Sequence, residues 1–265
     1  MKEETQMKVE VLVSTMFQKN NEILNNMNIN TDAIIVNQCN ENKIEEFSFK
    51  NRRIRLISLN ERGVGLSRNT ALMRANEEIC LFADDDVVYV DEYESLILDA
   101  FNKNPKAGVI MFNVPSTNTK RPSPKITKVK KLSIFNSMKY GTFCMAIRKQ
   151  KIYEANVTFS LLFGGGAKYS AGEDSLFIAE CIRKKIGVYT SPHTIGTVSH
   201  EESTWFKGYN EKYFIDKGAF FSSLSKKLRK LLCLQFLIRH KEVISKEIGM
   251  TKAYKLMKLG FEDIK

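Results

Sequence analysis

Three aspartates, Asp84, Asp85 and Asp86, follow directly on the apolar run Ile79–Ala83 (ICLFA). Adjacent carboxylates repel one another, so three converging on one cleft call for a positive charge. Hard divalent cations take carboxylate oxygens, and magnesium or manganese keeps coordination positions open for substrate phosphates. In extended backbone alternate side chains share a side, which lets Asp84 and Asp86 face one site while Asp85 faces away. An acidic strand end whose aspartates are merely capping or solvated would read the same. A second acidic pair, Glu173–Asp174, lies behind a glycine turn (Gly164, Gly165, Gly166) and opens the apolar-periodic stretch AGEDSLFIAECIRKK. A carboxylate there can take a proton from a hydroxyl, or it can simply cap a helix and complement its dipole.

The elements that must hold these residues alternate in type. Val9–Thr15 and Asp32–Cys39 are β-branched or apolar runs, Arg53–Leu59 alternates, and Ile79–Ala83 is a short buried strand. Between them, Gln18–Met27 and Ser67–Asn76 carry helical spacing. Glu92–Asn102 predicts a helix stopped at Asn104–Pro105, Gly108–Val114 and Gly141–Ile147 predict strands, and Gly187–Ser191 a strand ended by Pro192. Such an order predicts an α/β domain with a mostly parallel sheet, whose ligands gather at the carboxyl ends of the strands. From about Ser222 the pattern becomes basic, amphipathic and helical, which divides the chain into residues 1–217 and an extension, 218–265.

Hydrophobic content of 43% and charged content of 27% suit a water-soluble globular chain. No stretch approaches the roughly 18 to 20 apolar residues that cross a bilayer. The charged start MKEETQMKVEVLV lacks the layout of a secretory signal, so a cytoplasmic location is expected. Five scattered cysteines, none in a CxxC pair, read as reduced buried thiols. The net charge of +11 is uneven: Asn118–Lys131 has six basic residues and no acidic one, and Gly218–Lys265 has eleven against four. The rest is near neutral, so an anionic surface is an expected partner of the loop and tail, and the body is not a nucleic-acid binder. The run Ser225–Lys241 can lie on an anionic membrane, or pack its apolar face on the sheet or on another subunit.

Taken in order, Gly63–Gly65, Ser67–Arg68–Asn69, Ile79–Ala83, Asp84-x-Asp86 and Gly172–Glu173–Asp174 resemble the family 2 glycosyltransferases of the GT-A fold, over roughly residues 8–205. The resemblance implies a mostly parallel sheet flanked by helices, a nucleotide-sugar donor (a UDP-sugar) and transfer with inversion to a saccharide or lipid-linked saccharide in cell-surface polysaccharide synthesis. It implies Asp174 as catalytic base, aided by Glu173. It implies Mn2+ or Mg2+ at Asp86, Asp84 and His200, with His193 as a competing ligand. The donor would meet Ser14, Thr15, Met16, Asn37, Gln38, Arg62, Arg68, Asn69, Asp84 and Asp85, with backbone N–H groups of the 63–65 turn and Arg68 at the diphosphate. Ser14–Met16 and Asn37–Gln38 depart from the family's usual Pro-x-Tyr-Asn and Asp-Asp, which puts the base identity in doubt. Trp205 and Tyr209 are candidates to stack on a sugar. Rival readings are a nucleotidyltransferase, though VLVSTMFQKNNE lacks its Gly-rich basic signature, and a silent binding protein of the same fold. Oligomers are compatible with all three.

Overall fold

The computed structural model describes residues 7–200 and 208–264. Strand β1 (Val9–Met16) is buried almost throughout, as expected of a strand covered on both faces. It is followed by α1 (Glu22–Asn26), β2 (Asp32–Gln38), β3 (Lys43–Phe49), β4 (Arg52–Leu59) and α2 (Val64–Arg74). Next come β5 (Ile79–Asp84), the short β6 (Val87–Tyr89), α3 (Tyr93–Lys103) and β7 (Ala107–Asn113). After the basic loop stand α4 (Ile134–Ser137), a 3-10 turn (Thr142–Cys144), β8 (Met145–Arg148), α5 (Lys149–Glu154) and α6 (Glu173–Arg183). Strands β9 (Gly187–Thr194) and β10 (Gly196–Val198) precede the closing helices α7 (Glu211–Leu224), α8 (Arg229–Arg239), α9 (Lys241–Glu247) and α10 (Met250–Asp263).

Among the described residues, eight strands form one sheet in the order β3-β4-β2-β1-β5-β8-β7-β9, and β10 pairs with β6 in a small second sheet. Strands β4, β2, β1 and β5 run parallel, β8 runs against its neighbours, and β9 is parallel to β7. This is the mostly parallel α/β architecture that the strand–helix alternation predicts. Strand β3 is absent from that expectation. From Ile44 on it alternates exposed with half-buried residues (KIEEFSF) at the sheet edge, and its Lys43, Glu45 and Glu46 are charges of the kind that keep an edge from pairing further. Its hairpin turn uses Lys50 and Asn51, both at positive φ, and so lacks the glycine that normally announces such a turn. The five cysteines are buried and free, as expected.

The boundary expected at 217/218 falls inside α7, which runs unbroken from Glu211 to Leu224. The C-terminal helices pack neither on the sheet nor as a detached arm. They build a second apolar cluster (Phe214, Phe221, Leu237, Met257, Phe261) that takes in Phe163, Tyr169 and Ala179 from earlier in the chain. The contact of α7 with α10 is close enough that a Cβ on Gly218 would stand 2.0 Å from the Met257 carbonyl oxygen, and one on Gly260 2.1 Å from that of Ile215. No helix among the described residues is long and apolar enough to cross a membrane.

Because the obstructing atoms at that contact are backbone, an added methyl must push the helices apart. Gly218→Ala and Gly260→Ala are each expected to cost about 1–3 kcal/mol, read as a lower urea midpoint with an unchanged denaturant slope.

Candidate active site

A cavity of about 600 Å³ opens at the carboxyl ends of β1 and β5. The parallel register sets Ser14 beside Asp84, so Ser14, Thr15 and Met16 form one side of its floor and Asp84, Asp85 and Asp86 the other. The opposite wall is Gly172, Glu173 and Asp174 at the start of α6. Gly172 has φ near +116°, and a Cβ there would stand 2.5 Å from the ring of Phe220. Only glycine admits that turn while letting α7 press against it, so α7 backs the acidic pair.

Arg68, buried on α2, joins the two carboxylate groups. Its Nη1 donates to Glu173 at 2.7 Å and its Nη2 to Asp84 at 2.8 Å. Burial opposes the guanidinium's charge, but Asp84 and Glu173 outweigh that and hold it protonated. The guanidinium rests 5.6 Å from the centre of the Phe159 ring, which itself stacks on Phe177. Buried and bonded, Arg68 links a carboxylate on β5 to one on α6, the two sides of the site.

Asp174 is set apart electrostatically. Burial pushes its carboxyl up to about 7, and the charges of Glu173 and Asp84 push the same way. The Ser175 N–H, 2.6 Å from Oδ1, and Arg68 oppose this and lose. Asp86 is also raised, first by burial and then by Asp84, against the His200 N–H that it accepts at 3.1 Å. A carboxyl whose pKa lies near neutrality is suited to proton transfer at ordinary pH.

The three aspartates do not alternate as expected. Strand β5 ends at Asp84, and Asp85 and Asp86 lie in the turn before β6, so all three line the cavity. Asp85 accepts a hydrogen bond from Thr15 at 2.5 Å. His200, at a positive φ of 46°, also lines the cavity. Its Nδ1 lies 3.1 Å from the Ser116 hydroxyl and 3.2 Å from the Arg121 carbonyl oxygen. With Nδ1 donating to that carbonyl, Nε2 carries the lone pair, the orientation usual for a metal-ligating histidine. Among the described residues, no three His, Cys, Asp or Glu are placed so that they could together hold a metal ion. Asp84 and Asp86, which both line the cavity, carry the carboxylate oxygens that hard divalent cations take.

Other expected donor contacts are turned to structural work. Gln38 lines the cavity, but its Oε1 accepts from Gly63 N at 2.7 Å, and Val64 N donates to the Gly165 carbonyl. The 63–65 turn therefore does not offer those N–H groups to a diphosphate. Arg62 binds the Cys39 carbonyl and the Asn40 side chain, each at 2.7 Å. Asn37 clasps the backbone of Gln18 through N–H and carbonyl. Asn69 does the same to Phe159, and so fixes the ring under Arg68. None of Arg62, Asn37 and Asn69 lines the cavity. His193 pairs with Asp99 at 3.5 Å, away from the site, and Tyr209 packs against the second apolar cluster among Tyr213 and Phe214. Trp205 lies outside the described residues. Lining residues that sequence reasoning passed over include Arg121, Phe143, Ser170 and Thr142, whose buried hydroxyl oxygen has no partner among the described residues. A threonine after a glycine carries no distinguishing signal in sequence.

The profile of glycosyl transferase family 2 matches residues 21–163, more than half of the chain. The chain belongs to this family, and its fold is the GT-A fold. No curated protein sequence matches it. Residues 1–349 of TarS from S. aureus, solved with UDP-GlcNAc, superpose with a TM-score of 0.65 at 14% identity, over 97% of this chain and 80% of that one. TarS 1–349 without that ligand gives 0.60 at 15% identity, over 91% and 74%. The mannosyltransferase PcManGT from Pyrobaculum calidifontis, solved with GDP-Man and Mn2+, gives 0.51 at 11% identity, over 98% and 75%.

Removing Arg68 strands two carboxylates, so Arg68→Met is expected to lower stability by about 3–5 kcal/mol, measured by urea unfolding. Arg68→Lys should recover only part of this, because one ammonium cannot match the two-armed fork. For Asp174 the folded carboxyl binds its proton more tightly than the unfolded one. That favours folding at acid pH and is lost as pH rises from the ordinary 3.8 to about 7. Asp174→Asn should therefore gain thermal stability over the parent across this window, with a level advantage above it, in melting curves recorded from pH 4 to pH 8.

Proposed function

We propose that this glycosyltransferase moves a sugar from a nucleotide-diphosphate donor, a UDP-sugar, to a hydroxyl of a saccharide or lipid-linked saccharide, with inversion at the anomeric carbon. The observation that carries this reading is Asp174, held near neutrality across one cavity from Asp84 and Asp86. Asp174 takes the proton of the acceptor hydroxyl as that oxygen bonds to the anomeric carbon. The bond from that carbon to the diphosphate breaks with its electron pair leaving on the diphosphate. A single displacement of this kind inverts the configuration and needs one base. Glu173, tied to Arg68, is one of the groups whose charge raises Asp174 and so favours the protonated product of the step.

Asp86, Asp84 and Nε2 of His200 are the groups that would hold Mn2+ or Mg2+, which when bound neutralises the departing diphosphate. Ser14, Thr15 and Met16 floor the end of the cavity where the nucleotide would lie. The UDP-GlcNAc and GDP-Man complexes of the two structural neighbours support a nucleotide-sugar donor. In this reading the reaction runs in the cytoplasm, at the inner face of the cell membrane, and serves cell-surface polysaccharide synthesis.

A thermal-shift screen of nucleotide sugars with and without manganese tests the donor. Stabilisation by UDP-sugars that requires the metal is expected, with that stabilisation lost in Asp86→Asn; indifference to every nucleotide overturns the reading. Asp174→Asn should abolish transfer while leaving donor affinity within about twofold, since the amide keeps the carboxylate's shape. In the parent enzyme kcat/KM should rise through about pH 7 as Asp174 ionises, because only the carboxylate accepts a proton.

A further inference from the structure

Helix α8 is held by one face only. Cys233 and Leu237 are buried in the second apolar cluster, whereas Leu231 (63% exposed), Leu234 (47%) and Ile238 (72%) project into solvent. Their spacing of three, four and seven residues puts them on one side of the helix, and Leu228, 40% exposed, extends the ridge at its start. Exposed cations border it: Lys227 and Lys230 near one end, Arg239 at the other. Arg229, by contrast, turns inward to the Ser222 hydroxyl and the ring of Phe261. A solvent-facing apolar ridge bordered by cations is not what a helix needs for packing alone.

We propose that this face of α8 docks on an anionic membrane, with the leucine–isoleucine ridge entering the headgroup–acyl boundary and the flanking cations meeting anionic headgroups. Eleven residues of helix reach only about 16 Å, so α8 lies along a bilayer and does not span it. Charge complementarity selects the partner. A second copy meeting this face about a two-fold axis would bring the same cations together, whereas an anionic surface is attracted by all of them. A second anchor of the same kind is mounted on the same cluster: Ile134 and Met138 pack against it, and between them Phe135 is 78% exposed, near exposed Lys130, Lys131 and Lys139. The surface stands apart from the cavity and its chemistry, so it can fail while the donor reading holds.

The test is co-sedimentation of the full chain with vesicles of phosphatidylcholine and phosphatidylglycerol in equal parts, against phosphatidylcholine alone. Binding is expected to the anionic vesicles only, and to fall with added salt. Lys227→Gln with Lys230→Gln should weaken it about fivefold per cation removed. Leu231→Glu with Ile238→Glu should abolish it while the melting temperature and metal-dependent nucleotide binding stay at parent values, since both side chains are exposed. Equal binding to both vesicle types, no binding at low salt, or binding unchanged in both variants overturns the proposal. So does a parent dimer that Leu231→Glu with Ile238→Glu turns into a monomer without loss of vesicle binding, which would make α8 a subunit interface.

Discussion

Arg68 carries two negative charges on one buried guanidinium, and the geometry of the site follows from that link. Its partners come from distant parts of the chain: Asp84 ends a central strand, and Glu173 begins a helix 105 residues after Arg68. Without a cation between them, the buried Glu173 and the half-buried Asp84 would repel each other and their neighbours Asp174 and Asp86. With it, the guanidinium offsets both charges, and Asp84 and Glu173 each still push Asp174 upward. Asp174 and Asp86 rise because they have burial and like charge around them and no such fork of their own. One arginine thus divides the site's carboxylates into a clamped pair and a responsive pair.

Support for this clamp reaches outward in layers. Asn69, one residue after Arg68, grips the backbone of Phe159 and fixes the ring beneath the guanidinium. Gln38 ties the end of β2 to the turn that opens α2, which sets where Arg68 emerges. On the far side, Phe220 of α7 fills the space left by Gly172, so the C-terminal helices press on the start of α6. The second apolar cluster is therefore part of the scaffold of the site, although its outer helix α8 keeps one face free. Polar residues with the chemistry to touch a ligand (Arg62, Asn37, Asn69) serve instead to hold backbone, because buried N–H and carbonyl groups in the loops around a cavity need partners.

Much of this was legible in the chain itself. The apolar runs determine which strands are buried, and their alternation with helical periodicity determines a mostly parallel sheet. The order of Arg68, Asp84–Asp86 and Glu173–Asp174 determines that carboxylates gather at one end of that sheet, and the scattered cysteines determine free thiols. Strand β3 escaped because edge strands carry charge and its turn lacks glycine, and the composition shift near 217/218 lies within the unbroken helix α7. What only the tertiary structure decided was the work each polar group does. Whether Asp85 faces the cavity depends on where β5 stops, and whether Arg68 meets a phosphate or two carboxylates depends on what α6 brings across from it. Residue type states which bonds a side chain can make; the partner within about 3 Å, supplied from distant sequence by the fold, states which it does make.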